Sequence, residues 1–348
     1  MVADNGKIKA VLVGCGGISG SWLEGVQNTP DLQLVGLVDI REEAARERAA
    51  QFRLKKVSIG TDVERMLKET SPDVVFNCTI PQSHLAVTEI AFGYGCHVLG
   101  EKPMADTMES ARKMVALTEK SGKIYAVMQN RRFDPNLNRL KNVVRSGALG
   151  PITTINSDFY MGWHMSETGF RGEMHHLLLH DMAIHTFDMA RALTGADPVS
   201  VYCHEWNPPG SFLRGDAAAM CIFEMSDGLM YSYRGSWVAE GLPTSWESEW
   251  RVIGQNGTAH WDGAEGIRAQ IAVGRKPDSH ISMLEDVGIP PKVKRPRTGH
   301  VALIQDFARC LREGRAPETI CTDNIKSVAM AFAAGQSAET GQKVQVEW

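Results

Sequence analysis

Lys102, Asp181 and His185 are the residues whose types and spacing could move a proton. Lys102 stands in Gly95-Cys96-His97-Val98-Leu99-Gly100-Glu101-Lys102-Pro103, a short run of buried-strand character that stops at a carboxylate, an amine and a proline. In a parallel sheet, ligands bind at the carboxyl ends of strands. The following proline locks its own φ and bars Lys102 from helix. On this stretch alone, an ordinary strand ending in a solvated Glu–Lys pair is the plainer reading.

Asp181 and His185 lie in His175–Leu193, whose apolar stripe Leu179, Ala183, Phe187, Ala190 and Leu193 predicts one buried helical face. At helical spacing the two titratable groups are one turn apart and opposite that stripe. A carboxylate beside an imidazole raises its pKa and fixes its tautomer, which suits proton transfer near neutral pH. The bland reading is a solvated face. His175, His176 and His180 raise a metal site as rival chemistry, since His176 and His180 share the i, i+4 spacing of zinc helices. The glutamate of H-E-x-x-H is absent, with Leu177 and Leu178 in the gap, so the reading carries no metal.

The elements that must position these groups begin with a cofactor turn. Ile8–Val13 reads as a strand, followed by Gly14-Cys15-Gly16-Gly17-Ile18-Ser19-Gly20 and a helical pattern. That is the context a dinucleotide fingerprint requires: Gly14 permits the turn, Gly16 and Gly17 let a pyrophosphate approach, and the helix start at Ile18 offers unpaired N–H groups. Ser19 stands in the place of the third glycine and is small enough for close packing. Leu34–Asp39 is a second strand ending in a carboxylate at the distance expected of a ribose ligand. Asp39 would accept both ribose hydroxyls and repel a 2′-phosphate, favouring NAD, whereas Arg41 could pair with that phosphate and keeps NADP open. As an alternative, Asp39 caps a helix over Arg41–Phe52.

Helices over Thr61–Glu69, His84–Phe92 and Thr107–Lys120 and strands over Asp73–Cys78 and Cys96–Leu99 continue the alternation, with Ile124–Met128 as the last strand. A doubly wound parallel Rossmann sheet over residues 1–130 follows. Its ligand edge should carry Thr79, Pro81 and His84 near the nicotinamide half of the cofactor, then Glu101 and Lys102, then Asn130 through Arg132.

From residue 131 to 348 the pattern changes to an α+β domain with a large open, mostly antiparallel sheet. Pro135–Val144 reads as a helix. Ile152–Tyr160, Val199–Trp206, Ala217–Met225, Leu229–Trp237, Trp246–Ile253 and Gly266–Val273 read as strands, with turns at Asp227-Gly228 and Asn256-Gly257. Residues 207–215 and 274–299 read as long loops, and 300–313 and 323–335 as closing helices. Six of the eight tryptophans fall between 163 and 261; aromatic faces suit sugar rings, and Trp163 with His164 is taken as a candidate substrate contact.

Composition narrows the function classes. With 43% hydrophobic and 22% charged residues and a net charge of -4, the 348-residue chain reads as a two-domain globular protein without a nucleic-acid stripe. The short cationic run over 292–297 reads as a solvated loop. Seven cysteines without a C-x-x-C pair argue for reduced thiols and a cytoplasmic setting. No apolar run reads as a signal peptide or membrane span.

Together, Gly14-Cys15-Gly16-Gly17-Ile18, Gly100-Glu101-Lys102-Pro103 and Asp181-x-x-x-His185 followed by Asp188 resemble the Gfo/Idh/MocA oxidoreductases, named for glucose–fructose oxidoreductase and inositol dehydrogenase. The resemblance spans nearly the whole chain. It implies that Lys102 and His185 handle protons, that Asp181 binds or orients substrate, and that Arg132 touches substrate. It departs at His175–His180 and Ala183, which bears on the substrate wall. The implied activity is NAD(P)-dependent hydride transfer on a sugar or polyol. Alternatives are an NAD-dependent glycosidase working by transient oxidation, a metal-dependent sugar lyase or isomerase, and a non-catalytic NAD sensor. An open sheet with one uncovered face predicts a homodimer or homotetramer.

Overall fold

The structure, a computed structural model, describes residues 6–164, 171, 174–277, 280–292 and 298–348. Most of the cationic run over 292–297 lies outside the described residues. Two compact units are present: Met1–Asn130 with Pro296–Val328, and Arg131–Arg295 with Ala329–Trp348. A cut after residue 130 therefore coincides with the change of sequence pattern. Residues 296–328, expected with the second domain, instead belong to the first unit.

In the first unit, β1 (Ile8–Val13), β2 (Leu32–Val38), β3 (Ser58–Gly60), β4 (Val74–Asn77), β5 (His97–Gly100) and β6 (Tyr125–Val127) form one parallel sheet in the order β3-β2-β1-β4-β5-β6. The strands alternate with α1 (Ser19–Gln27), α2 (Glu42–Gln51), α3 (Val63–Thr70), α4 (Pro81–Gly93) and α5 (Met108–Ser121). β1, β4 and β6 are almost wholly buried, as helices on both faces of a parallel sheet require. β3 is three residues long and half exposed at the sheet edge, so no apolar run marks it. Asp62 and Thr107 cap α3 and α5 through their side-chain oxygens. Pro81 opens α4 three residues earlier than His84, because a proline at the first helical position needs no N–H partner. α8 (Gly299–Glu313) packs on α1 where Gly25 has no side chain; a Cβ there would stand 2.3 Å from Ile304.

The second unit is built on a nine-stranded sheet. It contains β7 (Ile152–Tyr160), β8 (Pro198–Trp206), β9 (Ala218–Met225), β10 (Met230–Ser236), β11 (Glu249–Gly254), β12 (Gly257–Trp261), β13 (Ile267–Arg275), β14 (Ser282–Asp286) and β15 (Val344–Gln345). Their order is β14-β13-β12-β11-β7-β10-β9-β8-β15. Within this sheet, only β7 and β10 pair in parallel among the described residues. Asp227 and Gly228 both take positive φ in the β9–β10 turn, the conformation a tight hairpin needs. β14 occupies part of the stretch expected as a loop over 274–299; its exposed alternation lacks an apolar face that could have signalled it.

One face of this sheet buries Phe159, Phe223, Tyr231, Tyr233, Trp250 and Trp261. α6 (Pro135–Arg145) and α7 (Ile184–Thr194) belong to the same unit, and Phe187 of α7 meets Phe223 and Tyr233 edge-on at 4.9 and 5.3 Å. α9 (Cys321–Thr340) is longer than the expected 323–335. Two expectations for His175–Leu193 need correction. Leu179–Ala183 is a π turn leading into α7, not plain α-helix. The face opposite the stripe is buried, including Asp181, His185, Thr186, Asp188 and Arg191, so it is not a solvated face.

Candidate active site

In the first unit, the strand ends build a cradle. Gly14 has φ of +93°, and a Cβ would come within 2.6 Å of the Cys78 carbonyl, so only glycine fits where β1 and β4 end. Gly16 and Gly17 have open space where a side chain would project, the clearance a pyrophosphate needs. Ser19 is buried and its hydroxyl donates to the Gly16 carbonyl at 2.6 Å, closing the turn in the third glycine's place. Asp39 Oδ2 accepts from the Cys15 N–H at 2.7 Å, and Oδ1 from the Arg41 N–H at 2.9 Å. The carboxylate is thus fixed beside the turn with lone pairs remaining for ribose hydroxyls. It does not cap α2, whose N-cap is Arg41 without a side-chain bond.

Arg48, Ile40 and Ile80, which motif reading missed, complete the cradle beside Ile18. Arg48 on α2 donates to the carbonyls of Gly16 at 2.9 Å and of Cys15 and Gly17 at 3.4 Å, holding the turn from outside. Ile40 is 92% exposed, and Ile18 and Ile80 are also exposed, just past β2, β1 and β4. Apolar side chains bared at the ligand edge suit the flat faces of a dinucleotide, an arrangement that hydropathy of single residues cannot reveal. The cradle therefore fits NAD on its own geometry.

Lys102 follows β5 on the same edge, half-buried, and the Lys102–Pro103 peptide is cis. Glu101 is buried and its carboxylate is committed: Oε1 accepts from Trp22 Nε1 at 2.7 Å and lies 3.5 Å from His300 Nε2, and Oε2 accepts from the Lys102 N–H at 3.0 Å. Burial alone would raise its pKa, but His300, the Trp22 N–H and Lys102 outweigh that and hold it below the usual carboxylate range. Through these bonds Glu101, expected at the cofactor, anchors the Lys102 turn.

His84, expected beside the nicotinamide, is enclosed by the protein. It is fully buried, with Nδ1 3.0 Å from the Pro103 carbonyl and Nε2 3.0 Å from the Thr79 carbonyl. Burial pushes its pKa down. It braces two strand ends against each other. Thr79 and Pro81, half-buried between them, remain on the edge, with the Thr79 hydroxyl donating to Asn77 Oδ1 at 2.6 Å. Asn130 Nδ2 lies 3.4 Å from His300 Nδ1, which ties the end of the sheet to α8.

In the second unit, Asp181 is buried in the π turn and its Oδ2 accepts from Arg171 Nε at 2.9 Å. His185 is buried on the first turn of α7. π turns inside helices are frequent at functional positions. Arg132, expected at the substrate, is instead buried and forked onto Asp188, Nε to Oδ2 and Nη2 to Oδ1, both at 2.7 Å. Its neighbour takes the other direction: Arg131 reaches the Trp246 carbonyl and, at 3.3 Å, the Met182 sulfur. Burial lowers the Arg131 guanidinium to about 10, against the charges of Glu247 and Asp181. The residue type was visible in Arg131-Arg132, but which of the two turns inward was not.

Trp163 and Trp246 are partly exposed and stand edge-to-face at 5.4 Å over buried Trp237. His164 is exposed, stacked on Phe212 at 4.9 Å and 2.9 Å from Glu240. Asp181, Arg171, Met182, Arg131, Trp246 and Trp163 therefore form one contiguous set. His176 and His180 do not face a common point as a ligand pair: their rings meet edge-on at 5.5 Å, and His180 packs on Phe332. Burial lowers His180 to about 4.

Comparison with known proteins follows the same division. Residues 8–129 match the Gfo/Idh/MocA profile described as an oxidoreductase family with an NAD-binding Rossmann fold, and 137–260 match the C-terminal domain of that family. The chain is 30% identical to the uncharacterised protein y4oX of Sinorhizobium fredii, covering 97% of this chain and 96% of that protein. It is 24% identical to a D-apiose dehydrogenase of Paraburkholderia graminis, covering 98% and 90%. Among solved structures, the WlbA dehydrogenase of Bordetella pertussis, in complex with NADH and UDP-GlcNAcA, shares the fold with a TM-score of 0.80 at 22% identity, covering 98% and 99%.

Proposed function

This chain belongs to the Gfo/Idh/MocA family of NAD-binding oxidoreductases, and on that premise we propose that it transfers a hydride between a secondary alcohol carbon of a sugar, sugar derivative or polyol and the nicotinamide. The observation that carries this reading is the first unit's edge. The Gly14 turn, Asp39 and Lys102 follow β1, β2 and β5 of one parallel sheet, where its ligands bind. The carbohydrate class is supported by the named activity of the D-apiose dehydrogenase and by the exposed Trp163 and Trp246 beside Asp181 and Arg131.

Bound NAD supplies the hydride acceptor. Oxidising an alcohol also releases the hydroxyl proton, so the chain must provide a base. His185 takes that proton, Lys102 donates a hydrogen bond to the developing alkoxide, and Asp181, held by Arg171, binds a substrate hydroxyl. Asp39 selects NAD by accepting from the ribose hydroxyls, with Arg41 as the residue that would admit NADP. Arg131 and Trp163 bind the rest of the substrate. The outer face of the sheet, where Tyr202, Met220, Ile222 and Met230 are exposed, pairs with a second copy to give a homodimer or homotetramer.

The test is a panel of sugars, polyols and glycosides with NAD and NADP, followed by nicotinamide absorbance together with product analysis. Reduction of NAD with a matching ketone product is the expected result. Aglycone release without net NADH would replace this reading with elimination through transient oxidation. Failure of every alcohol to reduce either nucleotide, with NAD still bound, would leave a sensor.

A further inference from the structure

One cluster in the second unit plays no part in that reaction. His176 precedes the π turn, Glu205 lies near the end of β8, and Asp216 lies just before β9; one metal-capable atom of each falls within 4.8 Å of the others. His176 Nδ1 is 2.5 Å from Glu205 Oε2, and its Nε2 is 3.2 Å from Glu339 Oε1 on α9. The Glu205 side chain is 1% exposed, yet its Oε1 has no hydrogen-bond partner among the described residues. The Asp216 backbone is pinned by its N–H donating to the His175 carbonyl at 3.0 Å and its carbonyl accepting from Leu178 at 3.3 Å. Among the described residues, its carboxylate makes no hydrogen bond or ion pair.

We propose that His176 Nδ1 and one carboxylate oxygen each from Glu205 and Asp216 ligate a single divalent first-row transition ion, of the Zn²⁺ or Mn²⁺ kind. A buried carboxylate oxygen without a donor is costly, and a cation supplies the missing partner. One imidazole with two carboxylates suits these ions, whereas Mg²⁺ keeps several waters and favours oxygen. Ligand atoms about 2.1 Å from a shared ion stand roughly 3–4 Å apart, so the set needs only slight closure, with the Nδ1–Oε2 contact opening. Glu339 is in the place of the outer carboxylate that accepts the far N–H of a ligating histidine and so leaves Nδ1 free for metal. The ion would clamp the chain entering the π turn, and hence Asp181, onto β8 and β9. It takes no part in hydride transfer.

Untagged protein is stripped with chelator and dialysed separately against Zn²⁺, Mn²⁺ and Mg²⁺; bound metal is then measured by elemental analysis and Tm is recorded. One equivalent of Zn²⁺ or Mn²⁺, with a rise in Tm, is expected. Asp216→Asn should abolish both effects. Glu339→Gln, at a largely exposed position that folding should tolerate, should weaken affinity about 10–100-fold. If wild-type protein retains none of these ions, or if both variants bind as wild type does, the cluster is an ion-pair triad and the proposal fails.

Discussion

Lys102→Met and His185→Ala are each expected to lower turnover by about two orders of magnitude or more, with NAD still bound. Steady-state rates beside nicotinamide fluorescence check this, and wild-type turnover in either variant would remove that residue from the mechanism. Arg132 has a different kind of importance. Its bidentate pair with Asp188 is buried, so Asp188→Ala takes the carboxylate from a buried guanidinium and should cost about 3–5 kcal/mol in denaturant unfolding. A direct substrate role would instead appear as a raised KM with unchanged stability. His97 gives a pH prediction. Its Nδ1 accepts from the Ile124 N–H at 3.0 Å, a bond that protonation destroys, and burial lowers its pKa to about 4. His180 is lowered to about 4 for the same first reason. Because both folded values lie below the ordinary 6.5, the unfolded chain binds more protons between them. Stability should therefore fall as pH drops from about 6.5 towards about 4. Equal unfolding midpoints at pH 7 and pH 5 would contradict it.

At the level of elements, the glycine turn separates fold from function. Gly14→Ala forces a Cβ against the Cys78 backbone at a positive φ and should lower stability by more than about 1 kcal/mol. Gly16→Ala meets open space, so Tm should hold while the KM for NAD rises several-fold. A Gly16 variant with normal NAD affinity would show that the pyrophosphate does not pass there. The π turn over Leu179–Ala183 is the element that spacing could not foresee. Its apolar residues fit an α-helix stripe equally well, and the extra residue in the turn shows only in the backbone hydrogen bonds.

For the whole molecule, light scattering should find a dimer or larger assembly. Ile222→Glu on the exposed sheet face should shift it towards monomer without unfolding the chain. A monomeric wild type would end that expectation. The two units also explain why a single cut misassigned 296–328: sequence pattern reports what an element is, and α8 is helical wherever it packs. Its place against α1 depends on Gly25, far away in sequence.

The chain alone determined the parallel sheet, the glycine turn with Asp39, the turn at Lys102 and the helical character of the segment bearing Asp181 and His185, because strand periodicity, glycine conformation and turn chemistry are local. It also carried the family resemblance through motifs that are each a few residues long. Tertiary structure decided which polar residues face a ligand and which are consumed inside. Glu101 and His84 look like site residues by type and position, but Trp22, His300 and the Pro103 and Thr79 carbonyls occupy them. Arg132 and Arg131 are neighbours of identical chemistry, separated only by Asp188 on one side and Met182 with Trp246 on the other. Hydrogen-bond satisfaction in a buried place depends on partners distant in sequence, and no spacing rule within one segment contains them.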